Sequence, residues 1–340
     1  MTVTVGIKAL NEAKHIAAAI RSALVAVEPF GGEVVLADSG SSDATLDIAR
    51  SFPQVRIVQL ADVSQRCCGA GAQLAFQAAN MPYFYLLDGD MILDPDFLVH
   101  GMAFLEGHRE YAAVGGRVRE VETANLEFAL RAQQIAKADA RREGQRVDVD
   151  RLDCGGLYRA SAIHGLGYFA DRNLHAFEEF ELGARLVAAN WKLARIDVPA
   201  VDHFGHDLDN MALLVRRMRS GYTGATGEVM RAGLAGDHWA VVARRFAHLR
   251  HGLIVIIWWG LLLATLLTGH MAGAGVLLLV PLAFLWWRRK RLSLAVYSYL
   301  NWNVTAIGLL QGLLRKRTPP DRPLVMTMLK EARAPEGIEA

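Results

Sequence analysis

Asp88-Gly89-Asp90 is the stretch whose residue types and spacing most readily do chemistry. Two carboxylates with one small residue between them can both turn toward a single cation, and Gly89 adds no side chain and permits a tight bend. Hard oxygen ligands in that arrangement suit Mg²⁺ or Mn²⁺, which complete their shells with waters and substrate phosphates. The same residues could be a polar turn capping a strand, and D-x-D alone does not separate the two. A second group of acids, Glu178, Glu179 and Glu181, sits in FEEFELGARL. It could carry base chemistry, or form a solvated first helical turn where carboxylates favour the dipole.

The elements that must position these groups alternate in type. Val3–Ile7, Glu33–Ala37, Val55–Leu60 and Tyr83–Leu87 read as buried strands, and Ala13–Val27, Ala44–Ser51 and Gln73–Asn80 as helices. Lys8–Glu12 reads as a polar turn and Asp43 as an N-cap. Such alternation implies a mostly parallel, Rossmann-like α/β sheet, whose ligands bind beyond the carboxyl ends of its strands. Asn11, Asp38 and Asp88 each fall just past a strand, so three polar turns are expected at one rim. Ala124–Arg142 is rich in helix formers and charges and reads as a surface helix.

Composition narrows the class. The chain has 340 residues, enough for one large or two smaller domains, and a net charge of +2, too near neutral to suggest nucleic acid. The hydrophobic fraction of 52% is high, and the excess lies mostly after residue 250. Cys67, Cys68 and Cys154 have no metal-binding C-x-x-C spacing and do not indicate a disulfide framework. Met1 leads straight into TVTVGI, so no signal peptide is expected.

At this point the residues resemble a known family. The first strand with Asn11-Glu12, the stretch DSGSSDAT and the DGD turn resemble the inverting glycosyltransferases of family 2, which have a GT-A fold. Asp153-Cys154-Gly155-Gly156-Leu157-Tyr158-Arg159 resembles the glycine loop of that fold, and Glu178–Leu186 its E-D-x-x-L…R helix. His203, in VDHFGH, stands where the family often carries a metal-ligating His. The resemblance covers roughly residues 1–230; it is specific to the family and not to a substrate.

The resemblance implies roles. Asp90 is expected as a direct ligand of Mg²⁺ or Mn²⁺, with His203 a further candidate and Asp88 holding the ion, a bound water or ribose. Asp38 is expected to accept from the nucleobase, favouring uracil, with Ala9, Asn11 and Glu12 beside the nucleotide. By resemblance Gly155-Gly156 would line the donor site; Arg66, from its place before the helix Gln73–Asn80, is either a solvated charge or a group that approaches the donor phosphates. Glu179 aligns with the family's catalytic Asp. Glu-Glu stands here where Glu-Asp is usual, which leaves Glu178 open as the base. Processive polymerases of the family carry Q-x-x-R-W near Met211–Arg231, and its absence argues for transfer of one or a few sugars. The cluster Arg216, Arg217, Arg219 reads as a contact for lipid head groups, with an acceptor phosphate the alternative.

Gly252–Gly269 and Met271–Trp287 run eighteen and seventeen residues without a charge, and read as a transmembrane hairpin. Arg244, Arg245 and Arg250 precede it and Arg288-Arg289-Lys290-Arg291 follow, which puts both ends on the cytoplasmic side. Leu294–Leu314 is apolar but interrupted by Asn301, Asn303 and Gln311; an interfacial or re-entrant helix fits the charge rule better than a third crossing. Gly308-x-x-x-Gly312 permits close helix contact. The expected division is a GT-A domain over 1–235, a membrane region over 236–317 with helices at 252–269, 271–287 and 294–314, and a tail over 318–340 holding a short helix at Val325–Ala332.

The combined expectation is a multi-pass protein of the inner (plasma) membrane with a cytoplasmic catalytic domain. It would move sugar from a nucleotide-sugar, UDP-linked by the Asp38 resemblance, to a lipid, lipid-linked or saccharide acceptor. A sugar-nucleotidyltransferase is the rival enzyme, but its G-x-G-T-R loop is replaced here by KALNEAKH. A catalytically inactive GT-A membrane scaffold is the rival without chemistry; the retained carboxylates weigh against it.

Overall fold

The structure is a computed structural model that describes residues 2–122, 132–133, 135, 144–205 and 210–333. The helix expected over Ala124–Arg142 lies almost wholly outside the described residues. The chain divides into two compact units, Met1–Leu208 with Arg317–Ala340, and Asp209–Lys316. Residues 209–235 are thus grouped with the apolar helices.

The first unit is built on a ten-stranded sheet in the order β10-β3-β2-β1-β4-β8-β6-β9-β5, with β7 pairing β9. Its strands are β1 (Val3–Ala9), β2 (Glu33–Asp38), β3 (Val55–Leu60), β4 (Tyr83–Asp88), β5 (Met91–Leu93), β6 (Tyr111–Glu120), β7 (Val147–Val149), β8 (Gly156–Arg159), β9 (Lys192–His203) and β10 (Met326–Lys330). β3, β2, β1 and β4 are parallel neighbours. Beyond β4 the pairing is mixed: β8 runs antiparallel to both β4 and β6, while β6 and β9 are parallel. Helices α1 (Ile16–Val27), α2 (Thr45–Arg50), α3 (Cys68–Gln77), α4 (Phe97–Gly107), α5 (Ala160–Leu166) and α6 (Glu178–Ala188) cover the sheet.

Alternating strand residues feed two cores. Val3, Val5 and Ile7 of β1 face Ile16, Ile20 and Ala23 of α1 on one side. Val35, Ala37 and Val58 face Leu74 of α3 and Leu182 of α6 on the other. Each such aliphatic side chain contributes about 1.5–3 kcal/mol when fully buried.

The tail corrects one expectation. Val325–Ala332 is not a helix: Met326–Lys330 forms β10, antiparallel to β3. Without it, β3 would present an unpaired edge, and the open row of N–H and C=O groups templates a strand. The tail is held further by Gln77, which bonds Leu324 N and O at 2.9 and 2.8 Å, and by Asn173, which bonds Thr318 N and O at 2.8 Å each.

The second unit contains α7 (Asn210–Arg219), α8 (Ala225–Ala235), α9 (Trp239–Arg245), α10 (Ala247–Leu267), α11 (Met271–Arg289) and α12 (Leu292–Leu314). Among the described residues, α10 and α11 are long and apolar enough to cross a membrane, and only 17% and 11% of their most apolar stretches are buried. The small residues of α12 face α8 and the turn before it. Cβ atoms added at Gly308 and Gly312 would lie 2.0 Å from the carbonyls of Thr223 and Gly224. Only glycine admits that approach. Asn303 accepts from Trp259 of α10 at 2.8 Å, which gives one interrupting polar residue a partner.

Candidate active site

The register sets Ala9 beside Asp38 and Lys8 beside Asp88. The turns after β1, β2 and β4 therefore gather at the carboxyl ends of three adjacent strands, as the alternation implied. They are stitched together. Asn11, at φ 59°, donates from its backbone to Ser41 Oγ at 2.9 Å and accepts from Ser42 N at 2.8 Å. Glu12 N donates to Thr45 Oγ1 at 2.8 Å, and Ala13 N to Asp43 Oδ2 at 3.1 Å. Asp43 also accepts from Thr45 N, so it braces the first turn as well as the start of α2. Slight burial raises its pKa, but these hydrogen bonds outweigh that and leave it below the ordinary value.

Asp38 is fully buried. Its Oδ1 accepts from Gly40 N, Ser41 N and Gln59 Nε2 at 2.9, 3.0 and 2.8 Å. Its Oδ2 is buried without a hydrogen-bond partner among the described residues. An unmet buried carboxylate oxygen is costly unless something donates to it.

At the DGD turn, Gly89 N donates to Lys8 O at 3.0 Å, and a Cβ at position 89 would sit 2.8 Å from Glu12 Cγ. Glycine is thus what lets the first turn pack on this one. Lys8, expected in the polar turn, is the penultimate residue of β1. Its ammonium lies 2.8 Å from Glu178 Oε1 and 3.2 Å from Asp88 Oδ1. Burial disfavours that charge, but Asp88, Glu178 and Glu179 more than offset it and raise the Lys8 pKa well above its usual value. Asp88 is itself pushed up by burial, opposed by Lys8.

Helix α6 starts after Phe177, held at φ 65°. Its acids are not a solvated turn: Glu178 and Glu181 are buried. Glu181 pairs with Arg185 at 2.8 Å, and Arg185 also donates to the carbonyls of Tyr168 and Phe169. Glu179 is pushed up to about 8, first by burial and then by the charge of Glu178.

His203 ends β9, buried, with Nε2 3.6 Å from Asp90 Oδ2 and Nδ1 2.6 Å from Glu120 Oε2. Burial lowers its pKa, but the two carboxylates prevail and hold it at about 10. Cys154 Sγ completes a cluster with Glu120 and His203 whose ligand atoms lie within 4.8 Å of one another. Gly155 takes φ 88°, and Gly156 pairs with Leu86 near the end of β4, so the glycine loop borders the same rim. Arg66 is exposed, just after the turn Val63–Gln65. Cys67 caps α3, its Sγ accepting from Ala70 N.

Three neighbours of the expected residues carried no sequence signal of their own. Lys8 could have been found from its place in a strand whose partner ends in Asp88. Glu120 lies in RVRE, which reads as an ordinary solvated strand end, and Gln59 reads as one polar residue of a strand.

Residues 4–167 match the family model described as Glycosyl transferase family 2. None of the curated proteins matches the sequence. Among solved structures, the mannosyltransferase PcManGT from Pyrobaculum calidifontis in complex with GDP-Man and Mn²⁺ is similar at 17% identity and a TM-score of 0.58, over 91% of this chain and 86% of that one. TarS 1-349 of S. aureus in complex with UDP is similar at 16% identity and a TM-score of 0.50, over 68% of this chain and 64% of that one, so this chain spans less than two thirds of it. TarS 1-349 with UDP-GlcNAc gives 13% identity and a TM-score of 0.50. At these identities the likeness is one of fold.

The mixed sheet, with its acids at the ends of parallel strands, is the GT-A arrangement. Residues 4–167 are a glycosyl transferase family 2 catalytic domain.

Proposed function

We propose that this enzyme is a metal-dependent, inverting glycosyltransferase that uses a UDP-sugar and is anchored in the inner (plasma) membrane, where it glycosylates a lipid or lipid-linked acceptor. The observation that carries the reading is that Lys8 bridges Asp88 of the DGD turn to Glu178 at the start of α6, at the strand-end rim where Asp38 lies beside Ala9. The unmet Oδ2 of Asp38 suits the single N–H of a uracil edge. Asp88, Asp90 and His203 fit a hard divalent ion, since Asp90 Oδ2 and His203 Nε2 are close enough to share one. Such an ion, when bound, neutralises the pyrophosphate as it leaves. Similar folds hold UDP-GlcNAc and GDP-Man, the latter with Mn²⁺.

In this reading Glu179 accepts the proton of the acceptor hydroxyl. The acceptor oxygen bonds the anomeric carbon on the face opposite the departing nucleotide, and the carbon–oxygen bond to the diphosphate breaks. Ala9, Asn11 and Glu12 flank the nucleotide, and Gly155-Gly156 leave backbone room beside it. Arg66, an exposed cation, would approach the phosphates. The exposed apolar surfaces of α10 and α11 support membrane anchoring, with the arginines at 244, 245, 250, 288, 289 and 291 on the cytoplasmic side. The basic cluster of α7 would meet head groups.

Thermal stabilisation by UDP- and GDP-sugars, each with and without Mn²⁺, tests this. UDP-sugars with Mn²⁺ are expected to raise Tm most. A response to GDP-sugars alone would overturn the uracil reading, and a response indifferent to Mn²⁺ would overturn the metal.

A further inference from the structure

We propose that Glu120 is a positioning residue for the metal site: it fixes the ring of His203 so that Nε2 faces the cation held by Asp90. The inference rests on the metal reading above.

Three strand ends converge there. Glu120 and His203 are register partners at the ends of the parallel pair β6 and β9. His203 is also the register partner of Met91, the residue after Asp90. The backbone ties the same points, since Phe204 N donates to Asp90 O at 3.0 Å and Val121 N to His203 O at 2.9 Å. Asp90, Glu120 and His203 are therefore held by sheet geometry and not by loop chance.

The side chains follow. The Glu120 side chain is buried, and Oε2 stands 2.6 Å from His203 Nδ1. A neutral imidazole has one N–H and one lone pair. When a cation displaces the Nε2 proton, a carboxylate accepting at Nδ1 keeps that nitrogen the donor and leaves the lone pair on Nε2, the atom that faces Asp90 at 3.6 Å. It also blocks rotation of the ring and raises its strength as a ligand. Metal-bound histidines are commonly held in this way, and loss of the outer partner typically weakens metal binding 10–100-fold. Cys154 lies in the same cluster, but a thiol is a soft ligand for Mg²⁺ or Mn²⁺. The carboxylate is the partner that suits a hard ion's histidine.

The test is the Mn²⁺ dissociation constant, read from the electron paramagnetic resonance signal of free Mn²⁺ with UDP, and separately GDP, at saturation. Glu120→Ala is expected to weaken Mn²⁺ binding by roughly 10–100-fold. Glu120→Gln, which keeps an acceptor without the charge, should fall between it and wild type. It remains informative if the alanine variant does not fold. His203→Ala should weaken binding at least as much. In the His203→Ala background, Glu120→Gln should cost nothing further, because a positioning residue acts only through the ring it holds. If Glu120→Gln costs the same with and without His203, Glu120 is itself a ligand and positioning is wrong. If both Glu120 variants bind as wild type while His203→Ala does not, Glu120 has no part in the site. If wild type binds no Mn²⁺ with either nucleotide, the metal reading falls and takes this inference with it.

Discussion

Lys8 Nζ lies 2.8 Å from Glu178 Oε1 and 3.2 Å from Asp88 Oδ1, so one partly buried ammonium bridges the start of α6 and the DGD turn. Two neighbouring glutamates thereby acquire different environments. Glu178 is tied to a cation, while Glu179 feels burial and the Glu178 charge and is driven to about 8. A carboxylate poised near working pH is what a general base requires.

That environment predicts a pH profile. Glu179 must lose its proton to act, so kcat is expected to rise from pH 6 to pH 9 with an apparent pKa near 8. Stability should move oppositely. A carboxyl raised above its unfolded value of about 4.3 keeps a proton in the folded state that the unfolded chain has released. Stability from this group is therefore lost as pH rises between the two values. Glu179→Gln should melt higher than wild type above pH 8 and converge with it in acid. A flat kcat profile together with parallel melting curves would remove Glu179 from the role.

The metal reading predicts that Asp90→Asn loses most activity, because a neutral amide binds a divalent ion weakly. EDTA should do the same to wild type, reversed by added Mn²⁺. Full turnover in either case contradicts a metal-held leaving group.

Arg185 tests the brace of α6 independently of chemistry. Its guanidinium pairs with the fully buried Glu181 and with two carbonyls. Arg185→Met strands that carboxylate, which typically costs about 3–5 kcal/mol. Urea unfolding of the first unit's tryptophan and tyrosine signal measures it. A loss below about 1 kcal/mol, the range of exposed pairs, would mean water reaches the pair.

Topology can be read by labelling. In a chain freed of its three cysteines, thiols introduced near residue 230 and near Gly273 should react from opposite faces of the membrane. Reaction of both from one face refutes the hairpin. A probe after Arg317 reports separately whether α12 crosses.

What could be read from the sequence was what local pattern controls. Apolar runs ending in polar turns identified β1 to β4, because a buried parallel strand is nearly all apolar. Asn11, Asp38 and Asp88 follow from that, since each sits where such a run stops. What escaped was set by register between distant strands. Glu120 meets His203, 83 residues on, only because β6 and β9 pair in parallel. Nothing in RVRE records that. Met326–Lys330 was misjudged for the same reason: its strand conformation comes from the open edge of β3 and not from its own residues.

The choice between the two glutamates is the sharpest test. Glu179→Gln keeps size and removes basicity, and positioned base catalysis contributes about 10²–10⁴-fold, so kcat should fall by that order. Donor affinity should change little, because in the proposed reading the nucleotide would meet the turns at Asp38 and Asp88–Asp90 and not Glu179. Glu178→Gln removes a charge from the Lys8 bridge and not the proton acceptor, so it should cost less in kcat. It should also lower the pKa of Glu179, since Glu178 is the largest charge raising it. The Glu178→Gln profile should therefore shift to lower pH, an effect that a merely structural residue would not produce. If Glu178→Gln abolishes transfer while Glu179→Gln barely matters, the base is one residue earlier and Lys8 is its partner. If neither slows transfer, α6 is not catalytic and the proton goes elsewhere.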